Sequence, residues 1–247
     1  MQYCVPRKKY QKGKKIGFVL IIILFIAVVL FISFFGFYLN SKENQVFKEK
    51  TYYYVCAMKT KGTKELENIK DDVKKVGGAG KIYKKENYNY LILNVYNDES
   101  LAKDVFEKNK INYPNAVTFE LKRKSISKKV KKQIKGDEFL FRYIKNHNKY
   151  MENVFALSLK YLSGALSENK FCSEILNLKF KLDEINDEML KLESNKLNDL
   201  VKNQVNLELY YYSAFFDNFF KNDKKDSIVC EFVVNLTILS VEFFNNL

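Results

Sequence analysis

The sequence predicts an α+β chain in three parts: a single N-terminal transmembrane helix, a βαββαβ domain and an all-α C-terminal helical bundle. Three observations predict it. Residues 16–39, IGFVLIIILFIAVVLFISFFGFYL, carry no charge over twenty-four positions. Residues 51–124 hold strand-like stretches with a period of two, separated by two helical patterns. From residue 137 onward the apolar residues recur at spacings of three and four, and strand patterns stop.

The apolar run comes first. A helix rises about 1.5 Å per residue, so twenty-four residues cross a hydrocarbon core of about 30 Å with room for tilt. Residues 1–15 form a short basic segment with Arg7, Lys8, Lys9, Lys12, Lys14 and Lys15 and no acid. Cations beside a span are retained in the cytoplasm. The expectation is a single-pass cell-membrane protein with a cytoplasmic N-terminus and about 200 residues outside. The run is longer than a signal peptide's apolar region, and no small-x-small site follows Leu39. It therefore reads as an uncleaved anchor, with residues 40–50 as a linker.

Residues 51–124 read as the domain. In TYYYVCAMK, Tyr52, Tyr54, Cys56 and Met58 alternate with Tyr53, Val55, Ala57 and Lys59. Thr63 can cap a helix with Leu66, Ile69, Val73 and Val76 inward, ended by Gly77-Gly78-Ala79-Gly80. KIYKK and YNYLILNVY read as strands joined at Glu86-Asn87, and Asn97-Asp98 caps a second helix. AVTFELK, after Pro114, reads as a fourth strand. The order β-α-β-β-α-β is the split βαβ, ferredoxin-like arrangement, with both helices on one face of an antiparallel sheet. The other face then carries Tyr52, Tyr54, Cys56, Tyr90, Ile92, Asn94 and Tyr96. Aromatics on an open face call for a partner, either a ligand or the C-terminal helices.

Residues 125–136, SISKKVKKQIKG, read as a basic linker, with a polyanion contact as the alternative. Residues 137–247 read as an up-and-down bundle. Ile175, Leu178, Leu182, Ile185, Met189 and Leu192 form a heptad seam, and Val201, Val205, Leu209, Tyr212 and Phe216 continue the pattern. Residues 228–247 are apolar enough to suggest a span, but Glu231, Asn235 and Glu242 favour a buried bundle helix.

Net charge is +13, concentrated as +6 in residues 1–15 and +5 in residues 125–135, while residues 136–247 hold −4. The first block is explained by topology and anionic head groups. Four cysteines, at 4, 56, 172 and 230, have no metal-ligand spacing, and at most one disulfide can form among the last three. His147, the only histidine, stands between Asn146 and Asn148 and reads as a surface residue. No phosphate loop, nucleophile elbow or zinc motif occurs, so no catalytic residue, metal or cofactor is expected and the chain reads as a non-enzyme. The RNA-recognition signature is absent, so no nucleic-acid partner is expected.

The runs YYYVCAMKTKGTKELENIKDDVKK and YLILNVYNDESLAKDVFEK resemble the SPOR (sporulation-related) domain family. Tyr53-Tyr54-Val55 matches the start of that family's first strand, and Tyr90–Tyr96 followed by Asn97–Ala102 matches its third strand and second helix. Cys56 replaces the usual glutamine, and Met58 and Val95 stand where the family has glycines. The resemblance implies a SPOR-like fold and binding of peptidoglycan glycan strands on the open sheet face. By that resemblance Tyr54, Cys56, Tyr90, Ile92 and Asn94 are glycan-contacting positions, and the role lies in cell division or sporulation with other envelope proteins as further partners. The alternative is a structural assembly protein of the envelope, since ring-building domains share the topology.

Overall fold

The computed structural model describes residues 47–247, which form one compact unit. Residues 1–46 lie outside the described residues, and with them the membrane span expected at 16–39.

The sheet comes from β1 (Lys50–Thr60), β2 (Lys81–Lys85), β3 (Tyr88–Tyr96) and β4 (Val117–Arg123). Helix α1 (Lys64–Lys75) follows β1, and α2 (Glu99–Asn109) follows β3. The strands lie in the order β2-β3-β1-β4, and every neighbouring pair is antiparallel. The hairpin between β2 and β3 closes at Glu86-Asn87, with Glu86 in the left-handed conformation at φ 56°. The pairing of β1 with β3 shifts register on both sides of Cys56, a bulge that sharpens the local twist.

Helix ends follow local chemistry. The Asp98 carboxylate accepts from Leu101 N at 2.8 Å and starts α2. Thr63 precedes α1, but its side chain makes no cap bond there. Helix α1 ends at Gly77, which takes φ +86°. The next residues return straight to the sheet, with Ala79 N donating to Leu93 O at 2.7 Å and Gly80 N to Ile92 O at 3.0 Å. A Cβ on Gly78 would stand 2.7 Å from Val73 Cγ1 and 3.1 Å from Leu93 Cδ2. Gly78→Ala is therefore expected to destabilise the fold by about 1–3 kcal/mol in urea unfolding, because the helix–sheet joint has no slack.

Five helices follow the sheet: α3 (Lys128–Gly136), α4 (Glu138–Leu162), α5 (Glu168–Met189), α6 (Lys196–Phe219) and α7 (Lys225–Asn246). Helices α1 and α2 cover one sheet face through Val55, Ala57, Leu66, Val73, Leu91, Leu93, Tyr96 and Ala102. Helix α7 packs on β3 and β4 and also against α4 and α6. Its C-terminal end is bonded to β4, since Lys124 N donates to Asn245 Oδ1 at 2.8 Å and Asn245 Nδ2 donates to Lys122 O at 3.1 Å. Arg123, buried at the end of β4, donates through Nη2 to Lys48 O at 3.0 Å and through Nη1 to Asn148 of α4. Its guanidinium carbon lies 4.2 Å from the Phe244 ring centroid.

The expected three-part fold class is overturned. The one helix among the described residues long and apolar enough to cross a membrane is α7, at the C-terminal rather than the N-terminal end, and most of it is buried in the protein. The helical tail is also not a separate bundle: a sheet with two apolar faces needs two covers, and α7 is the second. The stretch read as a basic linker contains α3, started by Ser127 and held inward by buried Ile126 and Ile134.

Within α6 the inward seam differs by one residue from the expected one. Val201, Val205 and Tyr212 are buried, but Glu208 and Phe215 take the inward positions expected for Leu209 and Phe216. The steps become four, three, four and three, which keeps one straight stripe on the helix. The carboxylate is tolerated there because partners surround it.

Candidate functional site

Tyr54, Cys56, Tyr90 and Ile92 share the face under α7 but are closed off. The bulge sets Asn94 opposite Val55, on the α1–α2 face, so the five expected positions do not form one surface. Tyr54, Cys56 and Ile92 are 0% exposed, Tyr90 is buried and Asn94 is half-buried. The Tyr54 ring stacks on Phe119 with centroids 4.7 Å apart, and Phe119 meets Tyr90 at 4.6 Å and Tyr83 at 5.9 Å. Asn94 Oδ1 accepts from Val95 N at 2.8 Å, which turns its amide oxygen to its own backbone. The Tyr54 hydroxyl is buried without a hydrogen-bond partner. Burial pushes the Tyr54 phenol and the Cys56 thiol well above their ordinary ranges. These groups are held neutral in an apolar layer, with no ring face left open for stacking on a sugar.

Behind that layer lies a polar nucleus that the sequence reading missed. His147 is 1% exposed, not a surface residue. It sits where α4, α6 and α7 meet. Its Nε2 lies 2.9 Å from Ser240 Oγ, and its Nδ1 lies 2.9 Å from Glu208 Oε1. The second contact is close but not aligned as a hydrogen bond. The same Glu208 oxygen accepts from Tyr143 Oη at 3.1 Å and from Gln204 Nε2 at 2.6 Å. Burial, with the Glu208 carboxylate beside it, pushes the Tyr143 phenol well up. A serine, a histidine and a carboxylate in line suggest acyl transfer. Here Ser240 is itself fully buried, and the clefts described below do not reach it. The cluster instead ties three helices together, with the Tyr143, Gln204 and Ser240 contacts made as hydrogen bonds and His147 Nδ1 held beside the carboxylate. The only sequence signal for it was Glu208 falling on an apolar stripe.

Cys56, Cys172 and Cys230 are all free and buried. Burial pushes the Cys230 thiol up to about 12, with Asp226 adding to the shift. No group of three metal-ligating side chains occurs among the described residues.

Several concavities reach the surface. A groove of about 620 Å³ runs between α5 and α6, lined by Cys172, Leu176, Phe216 and Phe220. Phe220 and Leu176 are exposed there, and Phe180 and Tyr210 are exposed nearby on the same two helices. A second cleft, of about 570 Å³, lies between α6, the start of α7, the end of α1 and the start of β2.

No family model matches the chain, and no curated protein or solved structure is significantly similar to it.

Proposed function

We propose that residues 47–247 form a structural assembly unit of the cell envelope that works through protein–protein contacts, with no catalytic role. One observation carries this reading: the sheet face that would contact a glycan is used internally to seat α7, while exposed Leu176 and Phe220 line the open α5–α6 groove. Exposed aromatics flanking an apolar groove are typical of protein contact surfaces. Glycan binding at Tyr54, Cys56, Tyr90 and Ile92 would require α7 to leave the sheet. The location that accompanies this proposal rests on sequence: the uncharged run 16–39 behind six cations would keep the folded unit at the outer face of a membrane.

The test is light scattering on the purified full chain. The expected result is a defined oligomer that Phe220→Asp converts to monomer without lowering the unfolding midpoint, because Phe220 is exposed in the monomer. A monomer at all concentrations, together with retention on purified sacculi, would reject assembly in favour of wall binding.

A further inference from the structure

Helix α3 carries charges that work against its own stability. Its nine residues, KKVKKQIKG, hold five lysines and no acid. Lys128 and Lys129 stand in the first turn, where the helix dipole disfavours cations. Lys132 follows them at spacings of four and three, where like charges repel. The Ser127 hydroxyl, accepting from Val130 N at 3.3 Å, and buried Ile134 hold the helix in place. Val130 and Ile134 lie four apart on the inner side, and the helical period puts Lys128, Lys129 and Lys132 on the opposite one. All three lysines are exposed, and none forms an ion pair among the described residues.

Neighbouring acids do not balance this face. Asp137 is engaged as the cap of α4, accepting from Leu140 N at 3.0 Å. Glu152 of α4 is paired with Lys50 at 3.5 Å. Glu138, at the start of α4, and Glu49, two residues after Phe47, are exposed. Against these two stand Lys48, Lys124, Lys145 and Lys149, all exposed in segments that adjoin α3 or belong to α4, on which it packs.

Phe47 ties α3 to the start of the folded unit. Ile126 N donates to Phe47 O at 3.2 Å, and the Phe47 ring stacks on Phe141 with centroids 6.1 Å apart. Seven residues, 40–46, join Phe47 to the uncharged run 16–39, a reach of at most about 25 Å. A bilayer crossed by that run is within reach of α3, and lysines beside anionic head groups are attracted to them.

We propose that α3 is a membrane-surface contact: Lys128, Lys129 and Lys132 lie against anionic lipid head groups, while Val130 and Ile134 stay in the protein and insert nothing. The contact rests on the membrane location given above and shares no residue with the α5–α6 groove. It would fix the orientation of the folded unit on the bilayer. A bilayer is favoured over a nucleic acid because the chain itself holds the patch beside one.

The full chain, in vesicles of phosphatidylcholine alone or with about 30% phosphatidylglycerol, is acetylated with a membrane-impermeant amine reagent and read by peptide mass spectrometry. Labelling of Lys128, Lys129 and Lys132 is expected to slow at least about threefold in the anionic vesicles at low salt. Exposed Lys108 and Lys221 serve as controls and are expected to keep their rates. The effect is expected to vanish in about 1 M salt, where the Debye length falls to about 3 Å. Alkaline carbonate extraction reports the location separately. A chain retained in both vesicle types, with no lipid-dependent slowing, overturns the contact and leaves the membrane span standing. A chain extracted from both loses the span. The contact then stands if the chain pellets with anionic vesicles at low salt and Lys128→Gln with Lys129→Gln and Lys132→Gln weakens this at least about thirtyfold, and it is overturned otherwise. That variant is expected to melt no lower than the parent, because it relieves repulsion within α3. Slowing by oligothymidylate but not by anionic vesicles also overturns the proposal.

Discussion

Replacing Glu208 by alanine is expected to destabilise the folded unit by about 3–5 kcal/mol, the range for removing one member of a buried charged cluster. The change strips the acceptor from Tyr143 and Gln204 together and leaves His147 Nδ1 facing a void. Each orphaned donor carries its own desolvation cost of about 1–3 kcal/mol, so the effects accumulate. Glu208→Gln keeps one oxygen in place and is expected to cost less than the alanine change. Guanidinium unfolding of both variants measures this difference. A double-mutant cycle of Glu208→Ala with His147→Ala should show coupling of at least about 0.5 kcal/mol, because the two side chains touch. Near-additive losses would mean that the histidine and the carboxylate do not act as one cluster.

The second large effect is expected at Phe215, with about 3–5 kcal/mol lost on change to alanine. Its ring bridges three helices, with centroids 6.0 Å from Phe171 of α5, 5.0 Å from Phe219 of α6 and 4.7 Å from Phe232 of α7. Phe216, one residue later, lines the open α5–α6 groove and is half-buried. Phe216→Ala is expected to cost less than about 1.5 kcal/mol, because its site opens to solvent and leaves no closed cavity. The sequence seam through Leu209 and Phe216 predicts the opposite ranking, so this pair of variants tests the register of α6 directly. Equal costs, or a larger cost at Phe216, would contradict the packing described.

The strand segments of the sheet were legible because a pleated strand repeats every two residues, and Tyr52–Lys59 and Tyr88–Tyr96 show that repeat plainly. The Asp98 cap and the Glu86-Asn87 turn were legible because both are local chemistry. What escaped depends on contacts distant in sequence. Nothing within the block 125–136 marks Ile126 and Ile134 as anchors, since five lysines dominate its composition. His147 looked like surface because its neighbours are asparagines, while its true surroundings come from Glu208 and Ser240, sixty-one and ninety-three residues away. Glu208 did not enter the expected seam, because carboxylates are rarely buried unless donors from other helices meet them. The cover over the sheet was open to reading either way, because a face rich in tyrosine suits a sugar as well as a helix. Helix α7 resolves it as cover: Phe232, Val233, Leu236, Leu239, Phe243 and Phe244 are buried over most of its circumference, and the stripe through Glu231, Asn235 and Glu242 is the side left to solvent.

Seating of α7 on the sheet is most directly tested by residue-resolved thiol labelling of the native full chain with iodoacetamide, read by peptide mass spectrometry. Cys56 lies in the layer beneath α7 and is 0% exposed, whereas Cys172 lines the open α5–α6 groove. The expected result is that Cys56 is labelled only as fast as the whole unit unfolds, and more slowly than Cys172. Labelling of Cys56 in native buffer at the rate of an unprotected thiol would show an open sheet face and contradict the account.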